Sequence, residues 1–155
     1  MTENIAGYEL AFLLLGSFRR LIDDLHAELA GAGFPEARPS HGFALQAIGP
    51  EAISISDLSR RLGVTKQAAS KTVRQLEEIG YVTRTPDPRD ARATLIARSP
   101  RGREFLAESS RILDRQRDTW RAAIGETRFA AAVSALRSLG GEASIIDIGG
   151  WLKES

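Results

Sequence analysis

Apolar residues recur every three to four positions along the first part of the chain, which is the spacing of one face of an α-helix. The pattern predicts a long amphipathic helix over residues 7–30, with the stripe Leu10, Leu13, Leu14, Phe18, Leu21, Leu25 and Leu29. At about 1.5 Å per residue this helix is roughly 36 Å long, too long to bury its whole stripe against one small domain. We therefore expect a partner chain to cover the excess.

Three short helices are predicted next, each from a capping residue and a break that ends it. They cover residues 40–48, 55–62 and 65–78. Their predicted caps are Ser40, Ser54 (paired with Asp57 as a capping box) and Thr65. Gly63 supplies a sharp turn between the second and third of these helices. Two short helices joined by such a turn predict a helix-turn-helix.

The segments that follow predict a β-hairpin and two more helices. Runs 81–84 and 93–97 are rich in β-prone residues and flank a Pro- and Asp-rich turn over 86–91, which is the pattern of a hairpin wing. Ser99-Pro100 is a preferred helix start, and a final helix is predicted over 127–139. The tail beyond Gly140, with Ile145, Ile146, Ile148, Trp151 and Leu152, is too apolar for an ordinary disordered end.

These elements predict a mainly α fold with a small β-hairpin wing. Length and pattern fit a single domain over 1–155. Within it, a winged helix-turn-helix lobe over 37–99 lies between two parts of a helical region, 1–36 and 100–155, which we expect to contact a partner chain.

Composition narrows the chemistry. The chain has no cysteine and two histidines, which excludes thiolate chemistry and disfavours a His-rich metal site, so no metal or cofactor is expected. The longest uncharged apolar stretch, 10–16, is far short of the roughly 20 residues that cross a bilayer, and no leader pattern precedes it, so we expect a cytoplasmic protein with no membrane partner.

The overall charge of +1 conceals an uneven distribution. Residues 60–103 hold eleven basic and four acidic residues, a net charge of +7, whereas the rest of the chain carries −6. A basic block of this kind is typical of a segment that meets a phosphate backbone. Charge alone is equally compatible with a solvated face that has no partner.

The third short helix carries polar and basic residues on the face opposite its apolar positions. They are Lys66, Gln67, Ser70, Lys71 and Arg74. Gln pairs with adenine in the major groove, Ser is a short donor and acceptor, and Lys and Arg suit guanine edges or phosphates. We expect Gln67 and Ser70 to read bases, and Lys71 and Arg74 to contact bases or phosphates. The alternative is an ordinary solvated helix face.

The predicted hairpin tip carries further basic residues. Arg89 and Arg92 suit the negative potential of a minor groove, and Asp90 is placed to orient an arginine through a paired salt bridge. The alternative is a charged tip exposed to water.

At this point the sequence resembles the multiple-antibiotic-resistance regulator (MarR) family of winged helix-turn-helix transcription regulators. The resemblance runs from Ile53 through Thr65 and over Leu76-Glu77-Glu78-Ile79-Gly80-Tyr81-Val82. Its most specific part is Asp87-Pro88-Arg89-Asp90-Ala91-Arg92, followed by Ser99-Pro100-Arg101-Gly102.

The resemblance implies a homodimer whose terminal helices interlock and which binds double-stranded DNA at a pseudo-palindromic operator. Half-sites would lie about 10 base pairs apart. The DNA contacts it implies, together with the basic face, are Thr65, Lys66, Gln67, Ser70, Lys71, Arg74, Arg84, Arg89, Asp90 and Arg92. The family mechanism is steric repression, relieved by a small aromatic or phenolic ligand between the dimerisation helices and the DNA-binding lobes. Candidate ligand contacts are His26, Arg38 and His41, although a structural role is the commoner one for such residues.

The sequence argues against two other functions. An enzyme is not expected, because no nucleophile grouping or Gly-rich phosphate loop is present, and the carboxylate pairs Asp23-Asp24 and Glu77-Glu78 are adjacent on helices and point apart. A winged-helix protein-interaction module that never binds DNA is the main alternative. The concentration of basic residues on one face argues against such a module.

Overall fold

The computed structural model describes residues 5–140. In chain order their elements are α1 (Gly7–Gly31), α2 (Pro39–Ile48), β1 (Ile53–Ser54), α3 (Ile55–Leu62), α4 (Lys66–Glu78), β2 (Val82–Asp87), β3 (Asp90–Arg98), α5 (Pro100–Ile124) and α6 (Glu126–Gly140). The predicted fold class, mainly helical with a small β wing, is confirmed. The predicted apolar tail after Gly140 lies outside the described residues.

Side-chain caps fix the helix-turn-helix as predicted. The Ser54 hydroxyl oxygen accepts from the Asp57 backbone N–H at 3.0 Å, and Thr65 Oγ1 accepts from the Ala68 N–H at 3.2 Å. The Asp57 carboxylate, which was expected to bind a free amide, instead accepts from the Ser54 hydroxyl at 3.0 Å. Gly63 ends α3 in a left-handed conformation (φ 63°), which a residue with a Cβ adopts only at a cost.

Helix α2 begins one residue earlier than predicted, so the prediction that Ser40 caps it is wrong. Arg38 is the N-cap and Pro39 the first helical residue, a position where the missing N–H of proline costs nothing. The imidazole of His41 replaces a conventional cap, because its Nδ1 accepts from the Arg38 backbone N–H at 3.2 Å.

The sheet is larger than the predicted hairpin. Strands β1 and β2 pair antiparallel with opposite edges of β3, in the order β1-β3-β2, with Ile53 opposite Ile96 and Val82 opposite Arg98. Pro86, which was assigned to the turn, lies opposite Thr94 within the ladder, next to a register shift. Proline is tolerated there because β2 is an edge strand of the sheet that residues 5–140 form.

Tyr81 lies at the centre of the core. It is fully buried between the end of α4 and the start of β2, and its ring stacks on Phe105 of α5 with centroids 4.9 Å apart. Its N–H donates to the Leu76 carbonyl at 2.8 Å, and its carbonyl accepts from the Ser99 N–H at 2.9 Å. Tyr81 thus links the helix-turn-helix, the wing and α5.

Much of the apolar surface on α1 and α6 is exposed. Only Leu25 and Leu29 of α1 are buried, whereas Leu13 is 54% exposed; in α6 no residue is buried and Leu139 is 84% exposed. Exposed apolar side chains clustered this densely are typical of an interaction surface. None of the helices in residues 5–140 combines the length and hydropathy required to span a bilayer.

Replacing Gly102 with alanine should destabilise the fold. A Cβ atom at this position would overlap the Tyr81 carbonyl oxygen and lie 3.0 Å from the carbonyl carbon, and backbone atoms yield poorly. We expect Gly102→Ala to lower the free energy of unfolding by about 3 kcal/mol, the upper part of the range for overpacked cores. Gly31→Ala is the matched control, because nothing lies within 4 Å of the added atom. Equal urea midpoints for the two variants would contradict this close approach.

Candidate nucleic-acid interface

Helix α4 presents its polar face because its opposite face is held in the core. Ala69, Val73 and Leu76 are all fully buried and Thr72 is buried beside them, so the side chains on the opposite face of the helix point outwards. The outward side chains meet one residue of β2 around an open concavity of about 680 Å³. Its lining residues are Lys66, Gln67, Ser70, Lys71, Arg74 and Arg84.

These six residues form a concave surface. Its four cationic side chains and Gln67 are exposed, and the shorter Ser70 is half-buried between them. The structure therefore brings together six of the ten predicted DNA contacts. Thr65 lies at the N-terminus of the same helix, where its hydroxyl is engaged as the cap. An open, positively charged concavity over a helix face has the shape and charge to receive an anionic polymer.

Arg84 is held in place on this surface by a carboxylate. Its Nε donates to Glu77 Oε2 at 2.9 Å, joining the last turn of α4 to strand β2. No pattern in the sequence indicates a role for Glu77. Glu77 and Arg84 are seven residues apart and lie on different elements, so neither helix nor strand periodicity pairs them. Their contact becomes visible only when the fold of the α4–β2 junction is known.

The wing tip lies apart from the concave surface. Arg89, Asp90 and Arg92 are all exposed, and none of them lines the concavity. Asp90 Oδ1 accepts from the Arg92 backbone N–H at 3.0 Å, so the expectation that Asp90 orients an arginine side chain through an ion pair is wrong. A short Asp side chain two residues before an N–H closes a local turn in preference to reaching a guanidinium. The ion pair at the tip joins Asp87 and Arg89 at 3.5 Å.

Part of the basic block serves the fold. Arg61 donates to the carbonyls of Ala47 and Ile48 at 2.9 and 3.1 Å, and Arg98 Nε donates to the Leu45 carbonyl at 2.8 Å. Both guanidinium groups therefore donate to carbonyls at the C-terminal end of α2, where the helix dipole is negative. Arg101 packs over the Phe34 ring, 5.0 Å from its centroid. The net charge of +7 in residues 60–103 is therefore larger than the positive charge that is available to a phosphate backbone.

A small, mostly apolar cavity lies between α1, α2 and α5. Its volume is about 180 Å³, and its walls include His26, Gln46, Phe105 and Leu113. Nδ1 of His26 is buried and has no hydrogen-bond partner within residues 5–140. Burial lowers the pKa of His26, which favours the neutral imidazole.

The other two candidate ligand contacts are placed differently. His41 is buried beside Tyr81, with ring centroids 6.2 Å apart, and Arg38 is exposed. Burial, and then the positive charge of Arg38, lower the pKa of His41. His26 lines the cavity, whereas His41 and Arg38 are not among its wall residues.

Comparison with known proteins agrees with this geometry. Residues 39–93, which contain α2, the helix-turn-helix and most of the wing, match the sequence model of the MarR family. The chain is 31% identical over 100 residues to ExpG of Rhizobium meliloti, described as an exopolysaccharide II synthesis transcriptional activator. The central part of the chain, residues 39–93, is therefore similar to the MarR family. The ExpG match covers 64% of this chain and 52% of ExpG, so the chain spans about half the length of that relative.

Solved structures extend the likeness to most of the chain. The transcriptional regulator Tm0710 of Thermotoga maritima is 25% identical, with a TM-score of 0.62 over 86% of this chain and 93% of that one. FabT of Streptococcus pneumoniae, solved in complex with DNA, is 19% identical, with a TM-score of 0.72 over 86% of this chain and 94% of that one. At this level of identity, the similarity to FabT is a similarity of fold.

Proposed function

We propose that this protein is a dimeric, sequence-specific DNA-binding transcription regulator of the MarR family that acts in the cytoplasm and catalyses no reaction. The observation that carries the proposal is the concave surface, which presents four cationic side chains together with Gln67 and Ser70. The structure of FabT with DNA supports it, because a protein of the same fold forms such a complex.

In this proposal α4 enters the major groove, which is roughly 12 Å wide and admits a helix. Gln67 and Ser70, in the first half of α4, contact base edges. Lys66, Lys71 and Arg74 are longer, exposed cations that neutralise phosphates on either side. Thr65 contributes at the helix N-terminus, where free N–H groups attract a phosphate.

The wing supplies a second contact. Its tip carries Arg89 and Arg92 beyond the concave surface, at a position from which an exposed hairpin reaches the neighbouring minor groove. Asp90 shapes the turn through its bond to the Arg92 N–H, so its contribution is to the backbone conformation of the tip.

The helices outside the lobe form the dimer in this proposal. Region 37–99 is the DNA-binding lobe, and 1–36 with 100–155 form the dimerisation region. Exposed apolar residues on α1 and α6 support this division, because they would be covered by the same residues of a second copy. They are Tyr8, Leu10, Phe12, Leu13, Leu14, Leu136 and Leu139. A twofold dimer places two α4 helices on one side, which requires a pseudo-palindromic operator.

We further propose that the protein represses by occupying a promoter and is released by a small aromatic or phenolic ligand. The cavity beside α2 supports this, since about 180 Å³ of apolar space suits a single-ring molecule and the buried Nδ1 of His26 is available as its polar partner. A ligand acts only if it prefers a dimer geometry whose α4 helices no longer match the half-sites.

Gln67→Ala should change base preference, because only Gln67 offers a paired amide contact on the concave surface. In fluorescence anisotropy with a duplex selected by the wild type, we expect a loss of about 1–3 kcal/mol, confined to one base pair per half-site. Gln75→Ala is the matched control, an exposed glutamine of the same helix that lies off this surface. Equal losses on all single-base variants of the duplex would exclude base readout by Gln67.

The same titrations test DNA binding itself. Wild-type affinity should fall steeply with salt, as counterion release requires. A protein that binds no duplex at low salt would instead be a winged-helix protein-interaction module.

His26→Leu should abolish the effect of the ligand on DNA binding. It should not weaken DNA binding when no ligand is present. The substitution places an apolar side chain in the cavity wall and removes both ring nitrogens. We expect single-ring aromatic carboxylates and phenols to weaken wild-type DNA binding and to leave His26→Leu unaffected. His41→Gln, at a position outside the cavity wall, should respond like the wild type. An identical response of all three proteins would place the ligand elsewhere.

A further inference from the structure

The Glu77–Arg84 ion pair lies at the edge of the concave surface. The two side chains are 39% and 31% exposed, so the pair is partly shielded from water. Arg84 lines the surface with the α4 side chains, whereas Glu77 does not. Glu77 is therefore placed behind a cation that faces the proposed DNA.

The geometry of the pair leaves most of the guanidinium free for another partner. The bond to Glu77 uses Nε, at 2.9 Å, and Arg84 forms no ion pair with any other carboxylate in residues 5–140. A guanidinium is planar, so fixing Nε fixes the plane in which the other N–H donors lie. Two parallel donors in one plane match the oxygens of a phosphate.

Preorganisation of this kind strengthens binding. An arginine on a flexible side chain loses conformational freedom when a phosphate immobilises it, and this loss opposes association. If Glu77 already holds Arg84 in one orientation, much of that entropy has been lost before DNA arrives.

We propose that Glu77 is a positioning residue for DNA binding, which orients Arg84 toward a phosphate beside the major groove that α4 occupies. The inference rests on the proposed DNA-binding function. The proposal predicts an unusual effect of Glu77 on DNA affinity. By Coulomb repulsion alone, a carboxylate close to a polyanion weakens binding, whereas the Glu77 carboxylate strengthens it.

Glu78 provides a matched control at the adjacent position. It is exposed and carries the same charge, and the structure places no basic group at ion-pair distance from it among the described residues. Changing either glutamate to glutamine removes one negative charge and preserves side-chain shape. Repulsion alone predicts tighter DNA binding for both variants, whereas the positioning role predicts opposite effects.

The experiment compares DNA affinities of Glu77→Gln and Glu78→Gln by anisotropy on a duplex selected by the wild type. We expect Glu78→Gln to bind equally or more tightly, and Glu77→Gln to bind roughly two- to fivefold more weakly, the range for a partly exposed ion pair. Equal or tighter binding by Glu77→Gln would overturn the proposal.

A double-mutant cycle separates positioning from a general structural effect. In an Arg84→Ala background, Glu77→Gln should no longer weaken binding, because no guanidinium remains to be oriented. A loss of the same size with and without Arg84 would overturn the proposal even if the first comparison succeeded. If the wild type binds no duplex at all, the proposed function fails and this cycle has no signal, so the two failures are distinguishable.

Discussion

The packing of α5 against the backbone of Tyr81 is the constraint on which the rest of the lobe depends. Tyr81 connects the last turn of α4 to β2, and Gly102 allows the first turn of α5 to approach its carbonyl more closely than any side chain would permit. The Ser99 N–H donates to that carbonyl, and the Phe105 ring stacks on Tyr81. One residue therefore sets the orientation of the helix that carries Gln67 relative to the wing and α5.

Helix α2 connects the cavity to the elements proposed to read DNA. One side of it supplies wall residues, among them Phe43 and Gln46. Its C-terminal carbonyls accept from Arg61 of α3 and Arg98 of β3, and Arg98 also lies 3.4 Å from Gln46 Oε1. A shift of α2 caused by a molecule in the cavity would pull on the helix-turn-helix and the wing through charged hydrogen bonds, which suits the proposed ligand response.

Local chemistry explains what was predictable from the sequence. Ser54, Thr65 and Ser99 each accept from a backbone N–H three residues ahead, a contact set by a few adjacent residues, so the starts of α3, α4 and α5 are predictable. The two-residue β1 has no periodicity to detect, and the β2–β3 ladder continues through Pro86 because pairing with β3 outweighs the turn preference of the sequence.

The candidate site divides in the same way. Helix periodicity was enough to group Lys66, Gln67, Ser70, Lys71 and Arg74 on one face. It did not show that Arg61 and Arg98 are bound to α2, since those contacts span 13 or more residues. Glu77 was missed for the related reason that its partner is on the next element of the chain.

Sequencing the double-stranded DNA that the purified protein retains from a random pool tests the central claim most directly. A dimer with one α4 helix per half-site predicts enrichment of an inverted repeat whose half-sites are centred about 10 base pairs apart, one turn of the double helix. Retention of DNA without any enriched sequence, or enrichment of a single unrepeated site, would contradict a symmetric, sequence-specific regulator.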